Sequence, residues 1–195
     1  EVFARDLSVP RNFSAEVNGN YIALSWENND ETFSYTVIEK STDQEEFRKV
    51  ATLSNKKESF KDHSVSNGHV YTYRARTIYK SSESPYTAEI EVIPLYPINL
   101  TVKNLYSDQV DLEWEYPDLS VVRIPDYKTV IERRTSGKST WKLLATLSSS
   151  ETWYRDSTVS ADTTYYYRIK TLYPNGSYSR NIPSSRGLST STAYP

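Results

Sequence analysis

Residues 71–79 read YTYRARTIY, and residues 165–173 read YYYRIKTLY. In the second stretch Tyr165, Tyr167, Ile169 and Thr171 alternate with Tyr166, Arg168 and Lys170. A period of two marks a β-strand with one buried face. The pair belongs to a longer repetition. YPINLTV at 96–102 parallels VPRNFSA at 9–15, and DLEWE at 111–115 parallels ALSWE at 23–27. TVIER at 129–133 matches TVIEK at 36–40, WKLLATLS at 141–148 matches FRKVATLS at 47–54, and YRD at 154–156 matches FKD at 60–62. The matches keep their order, so the chain carries one unit twice.

The offset between the copies grows along the chain. It is 87 at Pro10/Pro97, 88 at Trp26/Trp114, 93 at the TVIE segments and 94 from Phe47/Trp141 to Tyr79/Tyr173. If Pro94 and Pro195 close equivalent last strands, it ends at 101. The second copy then carries about five extra residues after its tryptophan strand and about seven after its tyrosine strand. Each copy has about seven short alternating runs broken by NGN, NND, STD, SNG and PNGS. That pattern predicts two antiparallel sheets packed face to face. In TVIEK the inward parity is ambiguous, because Val37 and Ile38 are adjacent and both apolar. The predicted domains are 1–94, with 1–8 as a leader or linker, and 95–195.

Four features together resemble the fibronectin type III domain: a proline-led first strand, a tryptophan in the second, a VIE(K/R) third strand, and a tyrosine six residues after an apolar residue. The last occurs as Val65 to Tyr71 and Val159 to Tyr165, and it resembles the tyrosine corner, whose phenol ties the crossover between sheets back to the chain. The resemblance runs from about Ser8 to Pro195. It implies an all-β chain of two tandem immunoglobulin-like, seven-stranded sandwiches. Trp26, Trp114, Tyr71 and Tyr165 are then structural residues. VIEKSTD, FRKVATLS, SFKD and GHVYTYRART are most similar to modules of bacterial secreted and cell-surface proteins. The implied placement is extracellular, secreted or on the cell surface.

Composition narrows the function. The chain has 195 residues, a net charge of −2, no cysteine and no methionine. No cysteine means no disulfide and no thiolate metal site. The lack of methionine is expected of a fragment or processed piece. No apolar run approaches the roughly 20 residues of a membrane-spanning helix, and neither half has the basic stripe that nucleic acid demands. Residues 1–95 hold 11 Lys+Arg and 15 Asp+Glu; residues 96–195 hold 12 and 10.

Catalysis has little to work with. The histidines are His63 and His69, both in the first copy, and DHS at 62–64 cannot converge as a triad on an extended chain. No cofactor or metal site is predicted. RGD and the WSxWS box are absent from the sequence. Three sequons occur, at Asn12, Asn99 and Asn175. The aromatic surplus is concentrated late, with 11 of 17 tyrosines at or after Tyr96. By alternation Trp153 and Tyr166 point outward, as stacking surfaces or as covers for neighbouring strands.

The extra residues of the second copy lie at 116–127 and 174–187. In a type III sandwich both loops emerge at one pole. Leu119, Val121, Val122, Arg123, Ile124, Tyr178 and Arg180 therefore form either a ligand surface or an apolar junction with the preceding domain. The junction is favoured, because the apolar members are costly to leave in water. The predicted role is a non-catalytic spacer and adhesion region of a larger secreted or cell-surface protein. Its partners would be neighbouring domains and a protein or carbohydrate ligand. The alternatives are the accessory region of a polysaccharide-degrading enzyme and a dedicated ligand-binding module.

Overall fold

The computed structural model describes residues 7–28, 33–119, 125–183 and 187–192. It divides into two compact units, Glu1–Pro94 and Leu95–Pro195. Among the described residues every regular element is a strand, and all pairings between strands are antiparallel.

In the first unit β1 (Arg11–Asn18), β2 (Tyr21–Glu27) and β5 (Ser59–Asp62) form one sheet in the order β1-β2-β5. The other sheet runs β4 (Arg48–Ser54), β3 (Tyr35–Thr42) and β6 (Tyr71–Tyr79), and β6 carries both β7 (Ser82–Glu83) and β8 (Ile90–Val92) on its far edge. The second unit repeats the plan. Its sheets are β9 (Ile98–Leu105), β10 (Val110–Glu115) and β13 (Trp153–Asp156), and β12 (Lys142–Ser148), β11 (Lys128–Thr135), β14 (Thr164–Leu172) and β15 (Leu188–Ser191). The first unit has one strand more than the predicted seven. β7 is two residues long and folds the end of β6 back on itself through Lys80, at φ 52°.

Each core is built from the inward face of these strands. Ile22, Leu24, Trp26, Ile38, Tyr71, Tyr73 and Ala75 pack in the first unit. Leu100, Val110, Leu112, Trp114, Ile131, Tyr165, Tyr167 and Ile169 pack in the second. Burying one such large side chain stabilises by about 1.5–3 kcal/mol. The TVIE ambiguity resolves the same way twice. Ile38 and Ile131 join the cores, whereas Val37 and Val130 are buried but belong to neither cluster.

Strand register corrects the predicted final offset. Ile90 opposes Tyr73, and Leu188 opposes Tyr167. The last strands are therefore 98 positions apart, four more than the tyrosine strands. One of the four precedes Ser179, which makes the contact to Thr171 that Ser84 makes to Thr77. The remaining three lie between Ile182 and Leu188, since Ile182 takes the place of Thr87 opposite the inward strand. Aligning Pro94 with Pro195 overshot because last-strand pairing, not the next proline, sets the register; Pro195 lies outside the described residues.

Candidate functional site

The repeated tyrosines meet between the sheets. The Tyr71 hydroxyl accepts the Ser66 backbone N–H at 2.8 Å, and the Tyr165 hydroxyl accepts that of Ser160 at 3.0 Å. Two residues on, the Tyr73 hydroxyl donates to Asp62 Oδ2 and the Tyr167 hydroxyl to Asp156 Oδ2, both at 2.8 Å. The same oxygen takes a cation from the third strand. Lys40 Nζ donates to Asp62 Oδ2 at 2.8 Å, and Arg133 Nη1 to Asp156 Oδ2 at 2.6 Å. Lys40 also lies over the Tyr71 ring and Arg133 over the Tyr165 ring.

The second carboxylate oxygen is satisfied locally. Asp62 Oδ1 accepts the N–H and hydroxyl of Ser64, and Asp156 Oδ1 accepts those of Thr158. Burial works against each carboxylate. The hydrogen bonds, from Lys40, Ser64 and Tyr73 in one unit and from Thr158 and Tyr167 in the other, outweigh it, together with the Arg133 charge. Both carboxyls are held below their ordinary pKa. Burial first, and then the neighbouring carboxylate, push the Tyr73 and Tyr167 phenols up. Such a network ties the two sheets together.

Sequence reasoning missed this network. Alternation places a lysine or arginine next to an outward glutamate, yet the residue falls on the buried face. The available signal was the joint repetition of VIE(K/R), (F/Y)(K/R)D and Y-x-Y.

The outward face of the same sheet is covered as well. Arg74 is held between the Phe47 and Tyr86 rings, at 3.8 and 3.9 Å, and bonds Glu39 through two nitrogens. In the second unit Arg168 lies over Trp141 at 4.1 Å and bonds Glu132, which also accepts from Lys170. Tyr166 does point outward, but the Arg134 guanidinium lies over its ring at 4.1 Å and leaves it half-buried. That corrects the reading of Tyr166 as an exposed aromatic. Trp153, on the edge strand β13 of the other sheet, is 59 % exposed.

The remaining candidates are only partly described. Leu119 is half-buried. Val121, Val122, Arg123 and Ile124 lie outside the described residues. Tyr178 is exposed beneath Lys170, and Arg180 lies over the Tyr96 ring. His63 packs against Tyr21, whereas His69 Nδ1 is 2.6 Å from Asp43 Oδ2. Within DHS, Ser64 bonds Asp62 and the intervening histidine points elsewhere. The three sequon asparagines all do local work. Asn12 and Asn99 sit at φ 51° and 54°, a region asparagine tolerates, and donate to Glu27 and Glu115 across the strand pair. Asn175 accepts both the N–H and hydroxyl of Ser177.

The closures behind the core tryptophans differ. Trp26 Nε1 donates to Asn28 Oδ1 at 3.0 Å, and Asn28 also receives Thr36 and donates to the carbonyls of Asn55 and Lys57. In the second unit Tyr116 replaces Asn28 and bonds Thr129 at 2.6 Å. Trp114 Nε1 and the buried Tyr173 hydroxyl have no hydrogen-bond partner among the described residues. Tyr173 instead meets Tyr127 edge to face at 5.1 Å, and burial pushes the Tyr127 phenol up to about 12.

No protein-family model matches the chain, and no curated protein matches it. Among solved structures it is similar to the FN1–FN3 domains of chicken CNTN1, at 14 % identity and a TM-score of 0.44, over 98 % of this chain and 69 % of that one. It is also similar to a segment of two fibronectin type III domains from chicken tenascin, at 12 % identity and a TM-score of 0.45, over 94 % and 98 % of the two chains. The strand order and the tyrosine corners are the chain's own warrant. The fold is a tandem pair of immunoglobulin-like sandwiches of the fibronectin type III kind.

Proposed function

We propose that these two sandwiches are a non-catalytic spacer and adhesion region of a larger secreted or cell-surface protein, one that positions other modules along the chain. The observation that supports this reading is the duplicated interior. Both units use their buried lysine or arginine, aspartate and tyrosines to tie the crossover and the two sheets together. A repeated sandwich cross-tied in this way suits a part that must keep its length.

Extension of the single chain by its two ends tests the reading. It should show two discrete unfolding events, each releasing about 300 Å, the reach of roughly 90 residues at 3.3–3.6 Å apiece. Smooth extension without discrete events sinks the spacer role. Antibodies raised against the chain should label intact cells or the medium of the producing organism. Labelling only after permeabilisation overturns the extracellular placement.

A further inference from the structure

Three of the five glycines follow an asparagine: Asn18-Gly19, Asn67-Gly68 and Asn175-Gly176. In such a pair the side-chain amide carbon and the next backbone nitrogen are the two ends of a small ring. Glycine has no side chain to shield that nitrogen and leaves the backbone free to turn. Whether the ring closes in the folded chain then depends on what else the glycine N–H is doing.

In two of the pairs it is occupied. The Gly68 N–H donates to the Pro94 carbonyl at 2.8 Å, and the Gly176 N–H to the Tyr173 carbonyl at 2.9 Å. Asn175 is held at its side chain too, where Oδ1 accepts the Ser177 N–H at 3.0 Å and its hydroxyl at 2.7 Å. The third pair is different. Asn18 ends β1 and opposes Tyr21, the first residue of β2, so Gly19 and Asn20 are the whole loop. Gly19 sits at φ 64°, in the first central position that glycine fills in one kind of two-residue hairpin turn. The pairing that closes the turn joins Asn18 to Tyr21, and the Gly19 N–H makes no hydrogen bond among the described residues. The Asn18 carboxamide has none there either. Both residues are half-buried and Asn20 is exposed, so water reaches the tip. β1 is an edge strand, and the end of such a strand frays at little cost.

We infer that Asn18 is a self-modification site, where the folded chain converts asparagine to aspartate and isoaspartate without an enzyme, while the fold protects Asn67 and Asn175. Hydroxide takes the Gly19 amide proton, and the nitrogen bonds Asn18 Cγ. The Cγ–Nδ2 bond breaks, and the departing nitrogen takes a proton from water and leaves as ammonia. Water then opens the cyclic imide. Breaking the new N–Cγ bond gives aspartate on the original backbone. Breaking the old peptide bond gives isoaspartate, whose backbone runs through Cβ and Cγ. Either product adds a negative charge, and isoaspartate also lengthens the backbone at the turn that sets the β1–β2 register. The matching hairpin of the second unit, LYSDQ at 105–109, has no asparagine-glycine pair. The change therefore marks the first unit alone, and it does not depend on the proposed function.

Ageing the whole chain in mildly alkaline buffer, with and without guanidinium chloride, tests it. Digestion at acidic pH and mass spectrometry then follow the three asparagine-glycine peptides, and fragmentation tells isoaspartate from aspartate. In denaturant the three should convert at comparable rates, because each asparagine has glycine next to it. In the folded chain Asn18 should convert about tenfold faster than Asn67 and Asn175, the factor set by one hydrogen bond that must first open. Asn18→Gln, which would have to close a larger ring, should melt with the wild type and release far less ammonia from the folded chain. Conversion of Asn67 or Asn175 as fast as Asn18 in the folded chain overturns protection by the glycine hydrogen bonds. An Asn18 that stays intact in the folded chain overturns the site, as does ammonia release undiminished in Asn18→Gln.

Discussion

Lys40 and Arg133 occupy one position in the two units, bridge the same pair of groups and lie over the same tyrosine, yet they are different cations. The ammonium of Lys40 reaches Asp62 and both oxygens of Ser64, while the guanidinium of Arg133 reaches Asp156 and Thr158. What the repeat preserves is a positive charge between the sheets opposite an aspartate, not a particular side chain. The tryptophan closures teach the converse. Asn28 satisfies Trp26 and three neighbouring groups at once, whereas Tyr116 fills the equivalent place with a ring, and Trp114 Nε1 has no hydrogen-bond partner among the described residues. One unit is closed by an amide with four hydrogen bonds, the other by a phenol that bonds Thr129 and packs its ring.

The largest effect should come from removing the shared charge. Asp62→Asn and Asp156→Asn each leave a buried cation without its counter-charge, a loss of roughly 3–5 kcal/mol. Denaturant unfolding measures it, and Trp26, the one tryptophan of the first unit, reports on that half separately. The acid limb supplies a second check. Because both folded carboxyls sit below their ordinary pKa, their stabilisation is fully present above the unfolded value, about 3.9. It is lost as pH falls through the depressed folded values. Wild-type stability should fall below about pH 4, and the asparagine variants should be flatter there.

Smaller, and aimed at the closures, is the replacement of each core tryptophan by phenylalanine. Both variants lose packing. Trp26→Phe also strips Asn28 of a part-buried partner, while Trp114→Phe removes an indole N–H that has no partner among the described residues. The cost should be greater in the first unit by about 1 kcal/mol, the net value of one hydrogen bond. A larger loss from Trp114→Phe would show that its N–H is satisfied and would erase the contrast.

Much of this architecture was legible beforehand because strand alternation and a duplicated sequence are local signals. Ile22, Leu24 and Trp26 announce their face by parity alone, and Tyr71 and Tyr165 announce the crossover by spacing from Val65 and Val159. Three things were not legible, each for a non-local reason. The side facing the core in Val37-Ile38 depends on which residue lies opposite Ala75. The offset of the last strand depends on its register with Tyr73 and Tyr167. The inward cation depends on an aspartate 22 or 23 residues away that only the folded sandwich brings within reach. Tyr166 was misjudged for a related reason. Parity gives its direction, but the Arg134 that covers it comes from the neighbouring strand.

The smallest expected effect is also the one that should not differ between the units. Tyr71→Phe and Tyr165→Phe keep the ring, and therefore the core packing and the contact with Lys40 or Arg133. Each removes one acceptor, leaving the backbone N–H of Ser66 or Ser160 without its partner. A buried donor left unpaired costs about 1–3 kcal/mol, but Ser66 and Ser160 are exposed and water reaches the freed N–H, so the loss should fall near 1–2 kcal/mol. The two geometries differ by only 0.2 Å, with 2.8 Å at Ser66 and 3.0 Å at Ser160. The losses should accordingly match within about 0.5 kcal/mol, the scale on which independent sites add. Denaturation of both variants and of the double variant measures this. Two unchanged variants would remove the corner from the account of stability, and a loss confined to one unit would mean that the tyrosine strand, though written twice, does its work only once.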